Sequence, residues 1–258
     1  AYLDPSTNHI YIIMTWHVNN RIIRTVRLKY TASPEGWSKD NENGLVVSNY
    51  NDYPSIVKEN GGSNIWVAFN NSFNVIAYYS NDEMATWSTR ITIQTTGGYV
   101  YPKLFNYGSR VGLIYFADNT YFTAHTNGDD PNTWDARTAI GGSPYYGDFC
   151  VSVTPNNWIW VVGTYYQGGL EYVIRSVVYD TNSWISTPPY GGYLTAYQTT
   201  PYTKTYGPSL VADGNDLYAY WTECEQATTN NVFNKIKYKK FTSSLGTWDA
   251  SATTAISS

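Results

Sequence analysis

The chain has 258 residues, with 16 Lys and Arg against 20 Asp and Glu, a formal charge of -4 and an isoelectric point near 5.3. That balance leaves no basic field for nucleic acid, because phosphate binding needs clustered Lys and Arg, and the run from Lys235 to Lys240 is short and reads as one solvated face of a strand. No stretch of eighteen apolar residues is present to cross a membrane as a helix.

Charged residues make up 14% of the chain, below the roughly 25% of an ordinary soluble domain, while aromatic residues reach 17%. Tyr, Asn, Ser and Thr take over the work of solubility. Such a surface suits hydroxylated ligands, since aromatic faces stack on sugar C–H groups and amides exchange hydrogen bonds with hydroxyls. The sequon Asn70-Asn71-Ser72 agrees with an expected location outside the cell, secreted or on its surface. Cys150 and Cys224 are far apart in sequence and have no His or Cys at ligand spacing. They exclude a zinc site, and a disulfide and two buried thiols both fit. No metal or cofactor is expected.

Along the chain, five repeats follow one another at intervals of about fifty residues. The first (about 1–48) opens with Asp4-Pro5-Ser6 and closes on a polar turn ending at Trp37. The second (49–97) runs from Tyr53-Pro54-Ser55 through the turn Glu59-Asn60-Gly61-Gly62 to Trp87. The third (98–142) begins at Tyr101-Pro102-Lys103-Leu104 and reaches Trp134. The fourth (143–198) begins at Tyr145-Tyr146-Gly147-Asp148 and reaches Trp184. The fifth (199–258) begins at Tyr206-Gly207-Pro208-Ser209 and reaches Trp248. Apolar and polar residues alternate, and turn residues recur every 8 to 12 positions, so each repeat holds four short strands and no helix. The expected fold is one all-β domain, a five-bladed β-propeller of four-stranded antiparallel blades.

The spacing Ser80-x-Asp82-x-x-x-Thr86-Trp87 resembles the Asp-box, or bacterial neuraminidase repeat, of sialidases and related propellers. Met84 stands where that family usually has Gly, and the turn with Asp129 and Trp134 carries one extra residue. The turns ending at Trp37, Trp184 and Trp248 keep little beyond the Trp. The resemblance implies a hairpin between third and fourth strands, in which a carboxylate holds backbone N–H groups and the Trp packs into the blade. In that family the turn lies on the face opposite the active site. Ser80, Asp82, Thr86, Trp87, Asp129 and Trp134 are therefore expected to be structural.

In propeller geometry the loops leading into the innermost strand and out of the second strand share one face. The second strands end at Trp16-His17, Phe69-Asn70, Phe116 with Asp118, Tyr165-Tyr166-Gln167, and Trp221 with Glu223. The innermost strands begin at Asp4, Asp52 with Tyr53, Tyr101, Tyr145 with Asp148, and Tyr206. The expected ligand face therefore comprises Trp16, His17, Tyr53, Asn70, Tyr101, Asp118, Tyr145, Tyr166, Gln167, Tyr206, Trp221 and Glu223, and its expected partner is a glycan or glycoconjugate. Filling the gaps between blades is the other use for the same aromatics.

A glycoside hydrolase of sialidase-like or arabinanase-like type would draw two facing carboxylates from Asp4, Asp52, Asp118, Asp148 and Glu223. Asp4-Pro5 resembles the Asp beside Pro on the first innermost strand of arabinanase-type glycosidases. Their Glu-Gly-Pro acid motif is matched only by Tyr206-Gly207-Pro208, which leaves no acid in that place. The Arg-Ile-Pro sequence of sialidases is absent, and Arg21, Arg24, Arg27, Arg90, Arg110, Arg137 and Arg175 fall on third or outer strands or at a hairpin. A lyase would need a His or Tyr base and a neutraliser for a uronate; of the interior histidines His17 and His125, His125 adjoins the Asp-box-like turn. The expected function is non-catalytic glycan recognition or surface attachment, with the hydrolase as first alternative and a protein-interaction scaffold as second.

Overall fold

The computed structural model describes the chain apart from residues 5–6, 19, 33–34, 44–50, 72, 96–99, 142–143, 167–171, 196–202, 228–229 and 258. Regular structure among the described residues is entirely β. The strands fall into two compact units, Ala1–Ala139 and Ile140–Ser258.

The first unit holds three blades. One orders β1 (Tyr2–Asp4), β2 (His9–Val18), β3 (Asn20–Ala32) and β4 (Glu35–Asn43). The next orders β5 (Asn51–Lys58), β6 (Ile65–Asn71), β7 (Asn74–Ser80) and β8 (Ile91–Thr95). The third orders β9 (Tyr101–Tyr107), β10 (Arg110–Phe116), β11 (Thr120–Thr126) and β12 (Thr138–Ala139). The second unit holds two. In one, β13 (Pro144–Val153), β14 (Ile159–Tyr166), β15 (Tyr172–Tyr179) and β16 (Trp184–Ile185) are joined by β17 (Gly192–Tyr193), which pairs with β15. In the other, β18 (Thr203–Asp213), β19 (Asp216–Ala227), β20 (Asn230–Thr242) and β21 (Thr247–Trp248) are joined by β22 (Thr253–Ser257), which pairs with β20. Every pairing is antiparallel, and the architecture is the five-bladed β-propeller.

β6 shows why these sequences make blades. Its residues Ile65 to Asn70 are all buried, because side chains alternate between two covered faces. Ile65, Val67 and Phe69 pack with Tyr11, Ile13 and Ile56 toward the first blade. Trp66 and Ala68 pack with Leu104, Val111 and Leu113 toward the third. A strand covered on both sides reads as a continuous apolar run rather than an alternating one. The hairpin from β9 to β10 turns in two residues, Gly108 and Ser109, with Gly108 at the positive φ of 54° that such a tight turn requires.

The turn after β7 is built on side-chain bonds. Ser80 Oγ donates to Asp82 Oδ1 at 2.7 Å and accepts from Met84 N at 2.8 Å. Asp82 accepts from Thr86 N at 2.9 Å and from Thr86 Oγ1 at 2.6 Å. Glu83 and Met84 both have positive φ, 59° and 70°. At the position where glycine is usual, Met84 thus keeps a glycine-like backbone, and its side chain is fully buried against the first blade. Trp87 packs half-buried on the same cluster. Trp134 meets Trp66 edge-on with ring centres 5.5 Å apart.

Candidate functional site

In the first unit the ligand-facing candidates meet at the start of β5. Asp52 pairs with Asn70 and Ser55 with Ala68, so a bulge separates the two stretches of ladder. Tyr53 lies in that bulge with φ 56°, a left-handed conformation that bulky side chains avoid. Pro54 follows it and has no N–H to give the ladder, which favours an interruption here. The bulge turns the Tyr53 ring outward, 48% exposed, and sets it 4.2 Å from the ring of Tyr101. Tyr101 in turn stacks on Phe116, its partner across β9 and β10.

Polar groups border this aromatic edge. Asn70 is buried and its Oδ1 has no donor within the protein. That burial leaves the sequon's side chain no room for a glycan. Asp118 is exposed and accepts from the Tyr121 hydroxyl at 3.1 Å, and desolvation together with that bond raises the Tyr121 phenol above its ordinary value. Arg137, absent from the expected set, places its guanidinium 4.4 Å over the Tyr121 ring.

The second unit repeats the device. Bulges interrupt β13 between Pro144 and Phe149 and β18 between Tyr206 and Ser209. Asp148 Oδ2 accepts from Gly207 N at 2.9 Å and from Thr164 Oγ1 at 2.7 Å. Glu223 is buried at the same end and pairs with Lys237 at 3.1 Å. Arg175 lies 5.6 Å from the ring centre of Tyr165 and 5.7 Å from that of Tyr193.

Several expectations are corrected. Tyr101 and Asn70, 6% and 2% exposed, lie behind Tyr53 in the core rather than on its ligand face. Trp221 is only 1% exposed and packs with Val162, Ile174, Leu194 and Ala219. Its ring fills the gap between two blades and has no face for a sugar. Asp4 ends β1 instead of beginning it, at the same end of the blades as the Ser80 to Trp87 turn. The misplacement arises because Asp4-Pro5 opens the turn after an innermost strand, whereas Tyr53-Pro54 and Tyr101-Pro102 open the strand itself. There Asp4 accepts from Lys58 at 2.9 Å and from Thr7 at 2.9 Å. Lys58 also reaches Glu83 at 3.1 Å, and Glu83 accepts from Tyr11 at 2.6 Å and Arg27 at 2.8 Å. Against opposing desolvation, these bonds raise Lys58 and lower Glu83, while burial and the Glu83 bond push Tyr11 up to about 12.

The side chains of Trp16, His17, Asp52, Tyr145, Tyr166, Tyr206 and Cys224, and Gln167 altogether, lie outside the described residues. Cys150 Sγ donates to Val162 O at 3.5 Å. His125 is wholly buried, 2.9 Å from Thr133 O through Nδ1 and ringed by Trp66 and Trp134. Sequence reasoning missed the bulges; an X-Pro step accompanies two of them, at Tyr53-Pro54 and Gly207-Pro208, while Tyr101-Pro102 opens an unbroken ladder.

Comparison by sequence matched no protein family and no curated protein. Comparison of structures did find matches. A polysaccharide lyase described as a PL25 ulvan lyase superposes with a TM-score of 0.56 at 10% identity, over 93% of this chain and 65% of that one. The NanB sialidase of Streptococcus pneumoniae, as its K499G mutant, gives 0.55 at 12% identity, over 80% of this chain and 33% of the sialidase. The catalytic domain of a GH62 α-L-arabinofuranosidase of Coprinopsis cinerea gives 0.52 at 11% identity, over 87% and 83%. What they share with this chain is the fold. The chain spans less than two thirds of the lyase and a third of the sialidase.

Proposed function

We propose that this chain recognises glycan without cleaving it, outside the cell, through the end of the blades where Tyr53 and Tyr101 meet. The exposed, left-handed Tyr53 carries the reading. A bulky residue holds such a backbone only where its surroundings impose it, and such strain collects at binding sites. Tyr53, backed by the buried Tyr101, offers an apolar ring face, while the exposed Asp118 offers an acceptor for sugar hydroxyls. The three solved structures of the same fold described above are named for enzymes of carbohydrate chemistry, which supports a sugar as the ligand.

The non-catalytic form of the reading rests on the acids. Asp148 is taken up by an amide and a hydroxyl, and Glu223 by Lys237. A glycan array with the parent and Tyr53→Ala, beside a reducing-sugar release assay, tests both halves. Retained array signals in Tyr53→Ala refute the rim. Sugar release refutes the absence of cleavage and returns Asp148 and Glu223 to the candidates for acid and base.

A further inference from the structure

A polar cleft lies at the end of the first unit opposite Tyr53. The turns β5–β6 and β9–β10 and the segment after β11 enclose a cleft of about 290 Å³. Its walls are amides, hydroxyls and glycine backbone, with one carboxylate, Glu59. Glu59 is buried, and its Oε1 accepts from Trp66 Nε1 at 2.8 Å and Asn64 Nδ2 at 3.1 Å. Both side-chain donors go to Oε1. Oε2 lies against Gly62, where a Cβ would stand 2.3 Å away, so only glycine leaves that oxygen its space.

Two amides complete the pattern. Asn127 donates through Nδ2 to Asn60 O at 3.2 Å, which fixes its orientation and leaves Oδ1 as a buried acceptor without a protein donor. Asn60 Oδ1 accepts from Asn106 Nδ2 at 3.2 Å, which leaves Asn60 Nδ2 as the donor. The cleft thus presents a carboxylate oxygen and an amide oxygen seeking donors, beside an amide seeking an acceptor. A vicinal diol satisfies both needs, because each hydroxyl donates and accepts.

We infer that this cleft binds one neutral, hydroxyl-rich ring, a single sugar residue, independently of the Tyr53 rim. The volume lies just below the range of drug-sized pockets and suits one ring. A calcium ion would need six to eight oxygens, usually with several carboxylates. No group of three acidic, His or Cys side chains stands close enough for a metal among the described residues.

Trp66 Nε1, bonded to Glu59, supplies the readout. Titration of arabinose, xylose, galactose and glucose in the millimolar range, followed by the Trp66 indole N–H resonance, should show saturable shifts with at least one sugar. Asn127→Ala and Glu59→Gln, the latter turning the Oε2 position into a donor, should each weaken that binding by about tenfold or more. Asn60→Ala, at an exposed position, makes the same test if either variant does not fold. Tyr53→Ala, at the other end of the blades, should leave the shift as it is, so failure of the rim and failure of the cleft are told apart. The inference is overturned if no sugar moves the resonance, if the cleft variants titrate like the parent, or if calcium chloride alone produces the shift.

Discussion

Asp148 Oδ2 accepts the Gly207 amide at 2.9 Å, so the acid of one innermost strand holds the residue that the bulge in the next one leaves out of its ladder. An amide stranded by a bulge must be bonded elsewhere or given to water. Asp148 answers that need and also takes the Thr164 hydroxyl. Asp148→Ala should therefore cost about 1–3 kcal/mol in urea denaturation, and Asp148→Asn less, since it keeps an acceptor. Unchanged stability with a large loss of sugar release would make Asp148 a catalytic group instead.

Met84 yields an inverted ranking. It is fully buried yet has a left-handed backbone, φ 70°. Truncation to Ala loses about 2–5 kcal/mol of packing and keeps the strain. Met84→Gly loses the same packing but relieves about 1–2 kcal/mol of left-handed cost. The glycine variant should therefore be the more stable of the two by chemical denaturation, although glycine inside regular structure usually costs about 0.5–1 kcal/mol relative to alanine.

The two tryptophan outcomes show how far the sequence could be read. The Trp-ended turns mark the blades where a large apolar ring packs beside the third strand, as Trp87 and Trp134 do, whereas Trp37 lies within β4 and is 53% exposed. Periodicity identifies the side of a strand on which a residue lies, but in stacked blades both sides of a second strand are covered. Trp221, on such a strand, looks like a rim residue and proves to be core. Tyr53 is exposed for a different reason, the bulge before Pro54, which no alternation pattern records. Asp4 falls at the other end of its strand because an X-Pro pair signals a turn whether it ends a strand or begins one.

Stability should fall at both extremes of pH. Hydrogen bonds from Thr86 and Ser80 hold Asp82 down at about 2, against a usual 3.8, and bonds from Lys240 and Ser243 hold Asp216 at about 2. Their contributions are complete above the unfolded value and are lost as pH falls from about 4 through 2. Glu83, also lowered, acts in the same direction. Tyr11, raised from 10.0 to about 12 by burial and by Glu83, contributes below pH 10 and loses that contribution as pH rises through 12. Thermal melts across this range check both arms, and Asp82→Asn should flatten the acid one. An acid arm unchanged in Asp82→Asn would remove Asp82 from the account.

Tyr53 allows strain and recognition to be separated. Its φ of 56° is one that glycine adopts freely and tyrosine does not, and Gly207, also before Pro in the bulge of β18, has φ 61°. If the bulge requires this backbone, Tyr53→Gly should be as stable as the parent or more stable by up to about 1 kcal/mol, because an exposed ring contributes little packing to offset the strain. Tyr53→Ala should be the less stable of the two, since it keeps a Cβ in the left-handed region. Both variants lose the ring that Tyr101 supports, so both should lose glycan binding by about 1 kcal/mol or more on an array or by calorimetry. A gain in stability bought with a loss of binding is what a strained recognition residue produces. A Tyr53→Gly protein that melts well below the parent would show that the ring serves the fold, and one that binds like the parent would move the glycan away from this edge.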